Sequence, residues 1–117
     1  MGTNFYAVRT KPTIEEPIHI GKRSCGWLFH FQSHNDTWHE PPIVWNTYNQ
    51  VKDWLYQNTV EKNDYVIINE YDEIITCDDF FKMVDEWQEN EDNQNNPDNF
   101  RYARNVDGYM FSDENFC

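Results

Sequence analysis

The sequence predicts an α+β fold: a single small domain, mainly antiparallel sheet, with two helices packed on one face. Three observations lead there. Short runs of aromatic and β-branched residues, such as Asn4–Thr10 and Trp27–Gln32, recur between turn signals. Two longer segments carry apolar residues at three- and four-residue intervals behind a capping threonine. At 117 residues the chain is long enough for one modest core, so residues 1–117 form one unit.

Taken in order, Asn4–Thr10 is a first strand and Pro12–Pro17 a connector. Ile18-His19-Ile20 is a short strand that Gly21 should end. Trp27–Gln32 alternates, setting Trp27, Phe29 and Phe31 on one face and Leu28, His30 and Gln32 on the other. The ring face is the candidate core. Ser33–Pro42 reads as a loop from its Asn, Asp and paired Pro.

A first helix follows from Tyr48 to Gln57, capped by Thr47 with Gln50 as capping-box partner, burying Val51, Trp54 and Leu55. Asp64–Glu70 carries the apolar strand Val66-Ile67-Ile68, Tyr71-Asp72-Glu73 turns the chain, and Ile74-Ile75 returns as its hairpin partner. Thr76 caps a second helix with Asp79 at the box position and Asp78 beside it, where carboxylates suit the positive helix terminus. Its stripe Phe80, Met83, Val84 and Trp87 is core. Residues 88–99, acidic and Asn-rich, read as a flexible loop. Phe100–Ala103 and Gly108–Phe111, with Asp107-Gly108 as turn signal, complete a last hairpin.

The core should be built on rings. Aromatic residues make up 17% of the chain, with 5 Trp, 7 Tyr and 8 Phe, and large rings bury much area per residue. No apolar run approaches the ~20 residues that cross a bilayer, and the N-terminus lacks the apolar stretch of a signal peptide. The three cysteines, Cys25, Cys77 and Cys117, form no C-x-x-C pair and read as reduced thiols. A cytoplasmic protein is expected.

Charge is segregated. Residues 1–60 hold five acids and five bases, whereas residues 61–117 hold sixteen acids and four bases, so the whole net charge of −12 lies in the second half. Such a field repels nucleic acid and the anionic surface of a membrane. It favours basic partners, including the grooves in which nucleic acid lies. The candidate partner-binding residues are Asp78, Asp79, Asp85, Glu86, Glu89, Glu91 and Asp92. Direct nucleic-acid binding is not expected.

The stretch His19-Ile20-Gly21-Lys22-Arg23-Ser24-Cys25-Gly26-Trp27 resembles a phosphate loop only superficially. That motif needs an earlier glycine and a following helix, and here a strand follows. Two readings stay open: a basic turn between strands, or a small anion site of Lys22, Arg23 and Ser24. His30, His34 and His39 lie within ten residues, with His19 near if the strands pair. Imidazole suits zinc. His19, Cys25, His30, His34 and His39 are the candidate metal ligands. No nucleophile elbow, cysteine–histidine signature or spaced carboxylate pair points to catalysis, so no enzyme is expected.

These residues also carry a family resemblance. Met1-Gly2-Thr3-Asn4-Phe5-Tyr6, His19-Ile20-Gly21-Lys22, Ser24, Gly26-Trp27 and Phe29 resemble a group of small bacteriophage proteins that begin MGTNYY and continue HIGKSSxGWxF. Asn69-Glu70-Tyr71-Asp72, the late Trp87 and Gly108-Tyr109-Met110-Phe111 extend the likeness in outline. Many relatives carry a C-x-x-C before the HIGK motif and a histidine after GWxF, a set that with the HIGK histidine would bind zinc. Here Lys11-Pro12-Thr13 and Gln32 stand in those regions, and His19 is the position carried over. The resemblance implies phage or prophage origin. Two functions follow as expectations: an anti-CRISPR type inhibitor that binds an effector nuclease, or a metal- or anion-binding accessory module around His19–Lys22.

Overall fold

A computed structural model describes residues 2–10, 16–24, 29–39, 41–89, 103–106 and 109–112. The strands are β1 (Gly2–Arg9), β2 (Ile18–Ser24), β3 (His30–Gln32), β4 (His34–Asp36), β5 (Ile43–Trp45), β6 (Tyr65–Asn69), β7 (Ile74–Ile75), β8 (Ala103–Val106) and β9 (Tyr109–Ser112). The helices are α1 (Tyr48–Leu55), extended by a π-helical segment Tyr56–Glu61, and α2 (Cys77–Glu89). Among the described residues, seven strands form one sheet in the order β7-β6-β1-β2-β3-β9-β8, and β4 and β5 form a separate ribbon. Every described pairing is antiparallel except β3 with β9. The predicted α+β class is what is seen. Among the described residues no helix is long and apolar enough to cross a membrane.

Both helices pack on one face of the sheet, and rings carry the contact. Phe80 of α2 sets its edge against Phe5 and Phe29, with centroids at 5.4 and 5.7 Å. Tyr48 of α1 meets Phe31 at 6.1 Å, and Trp54 meets Tyr65 at 5.0 Å. Phe31 stacks on Phe111 at 5.1 Å across the parallel β3–β9 pair. Such ring pairs contribute about 0.5–1.5 kcal/mol each beyond the area they bury. That is how a chain poor in aliphatic residues closes its core.

Both capping threonines do what their positions predict. Thr47 Oγ1 accepts from Gln50 N at 3.2 Å, and Thr76 Oγ1 accepts from Asp79 N at 3.1 Å. The reciprocal bond of the first box is shifted, since Gln50 Oε1 accepts from Asn46 N at 2.9 Å. α1 also ends earlier than its periodicity predicts. Asn58 Nδ2 donates to the Trp54 carbonyl at 2.8 Å and Thr59 Oγ1 to that of Leu55 at 2.6 Å, so side chains take acceptors the α-helical ladder needs. The backbone widens, and Lys62 N donates to Gln57 O five residues back.

Four further expectations are corrected. Gly21 does not end its strand: β2 runs on through Ser24, and Gly21 pairs with Phe5 on one side and Phe31 on the other. A Cβ there would collide with the His30 carbonyl oxygen and lie 2.6 Å from Phe29 Cε1. The glycine permits close strand approach beside the irregularity between Phe5 and Tyr6. Ser33–Pro42 is not wholly loop, because His34–Asp36 pairs with Ile43–Trp45, where Ile43 and Trp45 are buried about Val44. β3 is buried on both faces, so His30 and Gln32 are enclosed as well as Phe31. Finally, α2 continues through Gln88 and Glu89, with Gln88 Oε1 accepting from Phe29 N at 2.8 Å. The rest of the predicted 88–99 loop lies outside the described residues, as do Trp27, Leu28 and Lys11-Pro12-Thr13.

Candidate functional site

The acidic residues of α2 separate into two sets. The helix turns Cys77, Phe80, Phe81 and Val84 into the core, leaving Asp78, Asp79, Lys82, Glu86 and Glu89 exposed. Asp85 belongs to the inner set. Its Oδ1 accepts from Tyr48 Oη at 2.9 Å and from Tyr109 Oη at 3.1 Å, tying α2 to α1 and β9. Burial, and then this carboxylate, raise the pKa values of both phenols above the ordinary tyrosine value. Asp85 is therefore a structural acceptor, which sets it apart from the exposed carboxylates of the same helix. Glu91 and Asp92 lie outside the described residues.

The outer set has an unusual polarity. Asp78 and Asp79 occupy the first turn, where a carboxylate complements the helix dipole, but the last turn holds no base and carries Glu86 and Glu89. Carboxylates at that end oppose the dipole, by about 0.3–1 kcal/mol each at an exposed site.

Lys22 and Arg23, two of the three candidate anion-binding residues, lie on strand β2; the side chain of Ser24 lies outside the described residues. In an extended strand successive side chains leave opposite faces, so Lys22 and Arg23 diverge. Arg23 lies over the ring of Trp87 at 5.2 Å and that of Phe5 at 5.9 Å. The two bases are thus divided between the faces of β2, with Arg23 stacked on rings that pack in the core.

The histidines are drawn partly together. His19, His34 and His39 line a cleft of about 430 Å³ with Glu16, Pro17 and Asp36. Each ring is oriented by the fold: His34 Nε2 donates to the His19 carbonyl at 2.7 Å, His39 Nδ1 to that of Pro41 at 2.7 Å, and His19 Nε2 to Asn4 Oδ1 at 3.0 Å. Burial, reinforced by His34, lowers the His19 pKa to about 4, and burial lowers those of His34 and His30 as well. Neutral rings suit a metal, but among the described residues no three histidine, cysteine or carboxylate side chains converge to hold one. His30 does not line the cleft, and Cys25 lies outside the described residues. The set predicted for zinc is not gathered here.

A second concavity was not foreseen. Thr59, Val60, Val66, Ile74, Ile75 and Cys77 line a groove of about 320 Å³ beside the edge strand β7. Its legible signal was Val60 and Ile74, apolar residues each followed or preceded directly by a glutamate. Comparison with family models, with curated proteins and with solved structures found no match.

Proposed function

We propose that this chain is a phage- or prophage-encoded inhibitor of a host defence system, of anti-CRISPR type and without catalysis of its own. It binds the basic nucleic-acid groove of an effector nuclease in the host cytoplasm and blocks loading of guide or target strand. The observation that supports this most is the last turn of α2, which contains no basic residue of its own and in which Glu86 and Glu89 stand exposed against the helix dipole. A merely solvated helix gains from lysine at that end. Retaining carboxylates there costs stability and maintains an acidic field, which is what a cationic groove attracts. The resemblance of the opening motif to small bacteriophage proteins agrees with a phage origin.

The test is a cleavage assay on a panel of guide-loaded CRISPR nucleases, with binding measured against salt. The expected result is inhibition of one class, with affinity falling steeply as salt rises. The double variant Glu86→Gln, Glu89→Gln should weaken binding about tenfold, as ~1.4 kcal/mol implies, and flatten the salt slope. Its thermal stability should hold or rise. Inhibition of no nuclease, or inhibition indifferent to salt and to the double variant, refutes the proposal.

A further inference from the structure

Strand β7 closes one side of the described sheet and leaves its outer edge open. In the antiparallel register Ile67 faces Ile75 and Ile68 faces Ile74, and Asn69 N donates to Glu73 O at 3.1 Å. Hydrogen-bonded and non-bonded pairs alternate along such a ladder, so the Ile74 N–H and C=O point away from β6. The Ile74 side chain is 72% exposed, and Val60 across the groove is 50% exposed. An outward backbone pair beside an apolar trough is the arrangement that accepts an added strand.

Charge selects the occupant. Next to lining residues in sequence, Glu61 follows Val60, Asp72 and Glu73 precede Ile74, and Asp78 and Asp79 follow Cys77; all five are exposed, against Lys62 beside Glu61 and Lys52, whose charge acts on Cys77. A second copy of this chain would bring the same carboxylates against themselves, and like-charge repulsion opposes that pairing. We infer that the β7 edge and its groove bind an extended basic segment of a partner protein, in which lysine or arginine alternates with β-branched residues. The segment pairs with Ile74 through its backbone, seats its apolar side chains against Val60 and Ile75, and meets the acidic rim with its basic ones. The inference rests on the proposed basic partner and names the part of it that docks here.

The probe is a synthetic octapeptide of alternating lysine and valine, beside the same peptide methylated on alternate backbone nitrogens and an alternating glutamate–valine control. The first should bind, slow exchange of the Ile74 amide, and lose about tenfold or more in affinity on backbone methylation. Ile74→Lys should abolish binding, and its exposure predicts an unchanged melting temperature. Glu86→Gln, Glu89→Gln should bind the peptide as the native chain does. Absence of binding at millimolar peptide, binding of the acidic control, or binding that survives both methylation and Ile74→Lys overturns the inference. The two readings fail separately. Peptide binding without nuclease inhibition removes the inhibitor and keeps the groove, whereas inhibition undiminished in Ile74→Lys removes the groove alone.

Discussion

Replacing Asp85 by asparagine separates a structural carboxylate from the binding ones around it. One oxygen, Oδ1, receives two phenolic hydrogens, from Tyr48 on α1 and Tyr109 on β9, at 2.9 and 3.1 Å. The two rings stack face to face, with centroids 4.0 Å apart and planes within 2°. A hydrogen bond to a charged group contributes about 1.5–3 kcal/mol. The half-buried setting places this pair at the lower end, and asparagine keeps a weaker carbonyl acceptor. The expected loss is about 1–2 kcal/mol for Asp85→Asn, and about 2–4 kcal/mol for Asp85→Ala, which strands both hydroxyls. Urea titration should show the midpoint falling with an unchanged slope. Ultraviolet titration adds a second readout: removing the charge should bring both phenols to ionise at lower pH. If Asp85→Asn keeps full stability while losing the partner, the carboxylate belongs to the interface and the assignment is wrong.

Acid should destabilise the fold through buried imidazoles. His19, His30 and His34 have lowered folded pKa values, so their contribution is complete above about 6.5 and is lost as pH falls toward 4, the value for His19. At 1.36 kcal/mol per unit His19 sets a ceiling of about 3 kcal/mol, which solvent screening reduces to roughly 1–2 kcal/mol; His19→Gln should flatten urea midpoints between pH 7 and 4.5, and an unaltered profile would exclude it. Gly21→Ala should cost about 3 kcal/mol or more, since the clash is with a neighbouring backbone, and a loss under 0.5 kcal/mol in thermal melts would show that β3 does not lie so close. Arg23→Ala should cost about 0.5–2 kcal/mol through lost stacking on Trp87 and Phe5, with Arg23→Lys intermediate; denaturant midpoints equal to the native chain's would place the guanidinium in solvent.

Local chemistry was legible where local chemistry decides. Thr47 and Thr76 cap their helices because a hydroxyl three residues before a bare N–H reaches it whatever the tertiary fold does. The turn after β6 could be read because Asn69 Oδ1 accepts from Tyr71 N and Glu73 N, and Asp72 takes a positive φ of 63°. A last hairpin is present, but its first strand is Ala103–Val106 and not the predicted Phe100–Ala103, of which residues 100–102 lie outside the described residues. What failed depends on distant neighbours. Gly21 signals a turn by itself, and only the Phe29 ring and His30 carbonyl reveal why a side chain cannot stand there. The β4–β5 pair was hidden because His34–Asp36 is polar and joins a sheet of two short strands only. Asp85 looked like its neighbours along α2, although it lies four residues after buried Phe81 and so turns toward the same side.

The distribution of bases sharpens the meaning of the acidic surface. Arg9 lies over Tyr65 at 4.8 Å, Arg23 over Trp87 and Phe5, and Lys52 near the rings of Tyr48 and Phe81 at 5.6 and 5.8 Å. A cation held over a ring keeps its charge, yet its position is set by the sheet and helix that carry the ring. The fold thus holds three of its bases against its aromatic framework. Along α2 the opposite holds: Asp78 and Asp79 stabilise the N-terminal turn, Asp85 holds two tyrosines, and Glu86 and Glu89 oppose the dipole. Three groups of acids on one helix therefore act with two thermodynamic signs, the first two stabilising and the last destabilising. Neutralising Asp78 and Asp79 lowers stability, neutralising Asp85 lowers it further, and neutralising Glu86 and Glu89 raises it slightly. A loss of partner affinity shared by the first and last pairs could not come from unfolding, because their effects on stability run in opposite directions.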